Sequence, residues 1–132
     1  MRFLIFLAAM TFLIQPFPVQ AGKWSGYTTL ETKKGVEISY RLREQKDGWF
    51  IEYKGSNSSK DWAKPVLTTR SYLCSDGKKQ TADKSKSLGP LPPGESRASV
   101  RDAGICTGAQ ISSVNVSIEI HEVSENVKKM WE

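Results

Sequence analysis

The sequence predicts an antiparallel all-β domain, a sandwich or a small barrel, closed by one disulfide. Three observations predict it: two stretches of strict apolar–polar alternation, turn-forming residues at short intervals, and a lone pair of cysteines far apart in the chain. From Val36 to Leu42 the apolar positions Val36, Ile38, Tyr40 and Leu42 alternate with Glu37, Ser39 and Arg41. A period of two is what a half-buried strand needs, because successive side chains point to opposite faces. Lys46-Asp47-Gly48 is a turn, and Trp49 to Lys54 is a second strand, apolar on both faces at its start, so the pair reads as a hairpin. Gly55 to Ser59 reads as a polar loop. Val66 to Cys74, rich in β-branched and aromatic residues, is the next strand.

Ser75-Asp76-Gly77 is another turn, and Lys78 to Ser87 is too polar to bury either face. Gly89 to Gly94 holds three prolines and reads as a rigid connection, since proline fixes φ and withholds a ladder donor. Ser96 to Val100 is a strand, and Ala103 to Cys106 leads into another. The cleanest alternation is the last: Val114, Val116, Ile118 and Ile120 inward, Asn115, Ser117, Glu119 and His121 outward. Ser124 to Glu132 is a short terminal helix or a frayed tail. The run Leu91-Pro92-Pro93-Gly94-Glu95-Ser96 resembles the connector before a late strand in immunoglobulin-like and fibronectin-type-III-like sandwiches. That resemblance implies an immunoglobulin-like sandwich. The cysteines depart from the antibody pattern, because no Trp lies between Cys74 and Cys106.

Residues 1–21 are expected to be a removable signal peptide, followed by a domain over residues 22–123 and a tail or helix over 124–132. Met1-Arg2 gives a positive start, Phe3 to Ile14 an apolar run, and Val19-Gln20-Ala21 a relaxed small-x-small cleavage pattern. The run is several residues short of the roughly 20 that a spanning helix needs, and Pro16 and Pro18 end it. The mature chain is therefore expected to be secreted or periplasmic, with no transmembrane segment. Cleavage leaves 111 residues, one domain's worth, and removes only Arg2 from the charge, leaving 18 basic against 14 acidic side chains. The densest basic region, Lys78, Lys79, Lys84 and Lys86, has no aromatic residue interleaved for bases to stack on. It reads as a solvated loop, and no nucleic-acid partner is expected.

In an oxidising compartment a lone pair such as Cys74 and Cys106 forms a structural bridge. A redox pair would sit two residues apart, and a zinc site needs four ligands where the mature chain offers two Cys and one His. No metal or cofactor is expected. The one histidine, His121, falls on the polar face of the last strand beside Glu119, where a solvated pair is the ordinary arrangement. No Gly-x-Ser-x-Gly elbow or phosphate-binding glycine loop occurs. No catalytic residue is assigned.

Binding is the expected role, directed at a protein or a cell-envelope component. Trp62 lies in a polar stretch between Lys60 and Lys64, where a flat amphipathic ring either anchors a partner or folds back to cap the domain. Trp62, Lys60 and Lys64 are the candidate contact residues. The alternatives are a small secreted hydrolase using two carboxylates and a structural subunit of an envelope or extracellular assembly. Two N-x-[ST] triplets, at Asn57 and Asn115, are both expected to be exposed glycan acceptors if the host glycosylates.

Overall fold

The computed structural model describes residues 22–131, so the expected signal peptide over residues 1–21 lies outside the described residues. Among the described residues eight strands and one short helix follow in order: β1 (Thr28–Lys33), β2 (Val36–Gln45), β3 (Gly48–Asn57), β4 (Lys64–Cys74), β5 (Lys79–Ala82), β6 (Lys86–Ser87), β7 (Ser96–Ile105), β8 (Ile111–His121) and α1 (Glu125–Met130). One sheet runs β1-β2-β3-β7, antiparallel throughout. In the second, β4 is central, with β8 along one side and the two short strands β5 and β6 along the other. The fold is all-β with antiparallel sheets, and among the described residues the strands do not close into a barrel.

The two sheets share one core. Val36, Ile38, Leu42, Ile51, Tyr53 and Val100 of the first sheet bury with Leu67, Tyr72 and Ile118 of the second. The alternation in β2 fills this layer from one side and that of β8 from the other, although Val114, Val116 and Ile120 are only half-buried. Gly48 takes φ +118°, and a Cβ there would stand 2.9 Å from the Ile105 carbonyl oxygen, so the β2–β3 hairpin needs glycine for both conformation and space. Trp49 faces inward, its indole N–H donating to the Ala109 carbonyl at 2.8 Å, while Phe50 faces out. Leu88, just before the proline-rich connector, and Leu91 within it are fully buried and pack toward Gly55 of β3.

Cys74 and Cys106 are disulfide-bonded, with Cα atoms 5.5 Å apart. The bond joins the end of β4 in one sheet to the residue after β7 in the other.

Several expectations change. Thr28–Lys33 is a strand that its polar sequence conceals: it is an edge strand, mostly exposed, held by pairing to β2 rather than by burial. Ser96 to Ile105 is one continuous strand, not two. The polar stretch after Cys74 contributes β5 and β6, edge strands that need no apolar face. Lys86 is not simply solvated, since its ammonium donates to the Arg101 carbonyl at 2.6 Å and pairs with Asp102 at 3.4 Å. The terminal stretch is a helix, its first turn capped by Ser124 Oγ accepting from the Val127 N–H.

Candidate functional site

The loop carrying Trp62 is organised from its base. β3 continues to Asn57, which is buried rather than part of an exposed loop. Its side-chain amide donates to the carbonyls of Asp61 at 2.8 Å and Leu91 at 2.9 Å. Its carbonyl oxygen accepts from the Ser59 N–H at 3.0 Å and the Ser59 hydroxyl at 2.7 Å. All of the side chain's polar capacity is spent on the fold, so the expectation that Asn57 is an exposed glycan acceptor is wrong. Asn115 is exposed as expected. The β1–β2 turn leans on the same loop. Ser58 donates through N–H and hydroxyl to the Gly35 carbonyl, and a Cβ at Gly35 would meet Ser59 Cβ at 2.8 Å. After Trp62 the chain is pinned again by the Ala63–Leu91 bridge, with bonds of 3.1 and 2.7 Å.

Between these fixed points Trp62 is half-buried and forms one wall of a cleft of about 360 Å³. Lys34 from the β1–β2 turn, Asp61 beside the indole, His121 at the end of β8, Glu122 just after it and Lys128 from α1 are among the other lining residues. His121 pairs with Glu119 at 2.8 Å, both exposed. Of the three candidate contact residues only Trp62 lines this cleft. Lys60 stands at the exposed loop tip, and Lys64 lies on β4 opposite His121. Lys34 and Lys128 were missed. The Lys34-Gly35 turn was readable as a hairpin signal, but nothing in the sequence brings α1 to that end.

A second polar cluster is sealed between the sheets. Arg70, 1% exposed, grips Asp102, 7% exposed, through two bonds of 2.9 and 3.0 Å. Arg70 also donates to the Lys84 and Leu67 carbonyls. Tyr72 donates its hydroxyl to Asp102 at 2.5 Å, and the Tyr53 and Tyr72 hydroxyls are hydrogen-bonded to each other. Burial pushes the Asp102 carboxyl up, but the bonds from Arg70 and Tyr72 outweigh it and hold the group below the usual carboxylate range. Burial raises both tyrosines well above the ordinary phenol value, so they stay protonated.

The other face of the first sheet carries the third cluster. Residues 22–27 run beside β2, fastened by Gly22 N–H to the Glu44 carbonyl, Ser25 N–H to the Leu42 carbonyl, and a Trp24–Arg43 bridge. This sets Trp24 and Tyr27 next to Phe50 and builds a stack of alternating cations and rings. Lys54 lies 4.0 Å from Tyr27, Arg41 5.0 Å from Tyr27 and 4.3 Å from Trp24, Arg43 4.7 Å from Trp24 and 5.4 Å from Phe50, and Arg101 5.7 Å from Phe50. Glu52, 2% exposed, sits among them, bonded to Arg41, Arg101 and the Tyr27 hydroxyl. Burial raises its carboxyl, and the hydrogen bonds from Arg101, Arg41 and Tyr27 lower it further than burial raises it.

These arrangements bear on acid–base chemistry. β3–β7 pairing aligns Glu52 with Arg101 and Ile51 with Asp102, so Glu52 and Asp102 point to opposite faces of one sheet. Each is held anionic by cations, and neither offers a proton near neutrality. They do not form a carboxylate pair of the kind a hydrolase uses. Among the described residues no group of three or more His, Cys, Asp or Glu is placed to hold a metal ion, and no helix is long and apolar enough to cross a membrane. Comparison with protein-family models, with curated proteins and with solved structures finds no match to this chain.

Proposed function

We propose that the chain is exported and that its domain, an immunoglobulin-like sandwich, is a non-catalytic binding module for a protein or cell-envelope component. Trp62 is its anchor. The observation that carries this reading is the cleft itself: a half-buried indole on a braced loop faces open space beside Lys34 and Lys128 instead of disappearing into the core. Aromatic anchors of this kind dominate contact energetics because they bury a large amphipathic surface at little conformational cost. The cross-sheet disulfide and the apolar run before residue 22 support export.

The test is capture of partners from envelope and secreted fractions by the oxidised domain, residues 22–132, compared with Trp62→Ala. Loss of about 2 kcal/mol of binding, roughly thirtyfold in Kd, is expected at an anchor. Trp62→Phe, which keeps the apolar body, separates binding from folding: it should keep the wild-type unfolding midpoint and part of the affinity. Equal capture by all three proteins would return Trp62 to a capping role and remove the cleft from the function.

A structural-subunit role is the second reading, supported by β8. That strand is eleven residues long, carries no Pro or Gly, and among the described residues pairs only with β4. Such an edge is a template for another strand. On this reading sedimentation shows concentration-dependent self-association, and Asn115→Lys with Ser117→Lys abolishes it.

A further inference from the structure

We propose that the outer face of the β1-β2-β3-β7 sheet is a docking surface for an extended acidic segment of a partner protein. Cations predominate on that face, where an exposed Glu37 occupies the row beyond Ser39–Lys54. In the three cross-strand rows Arg43–Phe50, Arg41–Glu52–Arg101 and Ser39–Lys54, four cations meet one carboxylate. Glu52 spends both oxygens on Arg41 and Arg101, and among the described residues Arg43 and Lys54 have no acidic partner. Stacking on the rings fixes the guanidinium planes in place, so an incoming carboxylate meets donors that are already oriented.

The geometry selects the class of partner. Tyr27, Trp24 and Phe50 each lie within 6 Å of two cations, so a ligand reaching these rings meets positive charge beside them, which favours an anionic partner over a neutral sugar. Arg41 and Arg43 are two residues apart on β2, a spacing of about 7 Å, the same repeat as alternate side chains of an extended polypeptide. An acidic segment laid along β2 would therefore present a carboxylate to each cation in turn. The residues of this stack are not among those lining the Trp62 cleft, and the inference does not depend on that cleft.

Fluorescence anisotropy with a labelled decaglutamate peptide tests the inference on the oxidised domain, residues 22–132. Binding should strengthen at low salt, and Arg43→Gln with Lys54→Gln should weaken it about tenfold while the protein stays folded. Lys78→Gln with Lys79→Gln, which removes the same charge from the end of the β4–β5 turn and the start of β5, should leave it unchanged, as should Trp62→Ala. Equal weakening by both double variants would mean that net charge alone attracts the peptide, and would overturn the proposal. So would an absence of decaglutamate binding, or a preference for a sulfated polysaccharide at the same face.

Discussion

Asp102→Asn is expected to destabilise the domain by about 3–5 kcal/mol, the usual cost of leaving a buried charge without its partner. Arg70 is the charge left behind. It is more deeply buried than the aspartate and reaches it with two parallel bonds, while the Tyr72 hydroxyl loses its anionic acceptor. The loss should depend on pH in a defined direction. A carboxyl held below its unfolded value stabilises the fold above the unfolded pKa, near 4, and this stabilisation disappears as the pH falls through the folded value. The gap between wild type and variant should therefore be widest near neutrality and close on acidification, because protonated Asp102 resembles asparagine in charge. Urea unfolding of both proteins across the acid range measures this. A gap that does not change with pH would show that Asp102 acts through shape alone.

Opening the Cys74–Cys106 bond is the second large effect. It closes a loop with a sequence separation of 32. Chain entropy then assigns about 3–4 kcal/mol to the crosslink, a large share of the 5–15 kcal/mol typical of a whole domain. The bond ties together strands from different sheets, a contact no neighbouring ladder replaces, and the Gln80 side chain locks the same corner by accepting from the Cys106 N–H at 2.5 Å. A paired Cys74→Ser and Cys106→Ser variant should lose that stability at every pH, with a Tm lower by about 15–25 °C for a domain of this length. A reductant should do the same to the wild type and nothing to the variant. If reduction left the denaturation midpoint unmoved, the crosslink would be dispensable to the fold and would no longer speak for an oxidising compartment.

What the sequence conveys differs from element to element for physical reasons. β2 and β8 announce themselves because one face meets the core and the other meets water, which imposes the period of two. β1 has no such contrast: as an exposed edge it is held by ladder hydrogen bonds, which leave no mark on side-chain composition. Asn57 reads as loop because its neighbours are polar, and only the fold shows that four hydrogen bonds replace the water it gives up. Arg70 and Asp102, separated by 32 positions, each look solvated until the sheets bring them together. Trp62 is legible as a lone ring among polar residues. The cation–ring stack is not, since Trp24, Tyr27 and Phe50 are equally credible as core until the strand faces are known.

The brace at Asn57 has a consequence for the energetics of recognition. A flexible loop must be immobilised when it grips a ligand, and each side chain frozen on contact costs about 0.5–1.5 kcal/mol. Here the ordering is complete before any encounter: Asn57, Ser59 and the Gly35 carbonyl fix the loop on one side of Trp62, and Leu91 fixes it on the other. The entropy that a mobile loop surrenders on contact has been surrendered during folding, so a partner reaching the indole finds a surface that is already rigid.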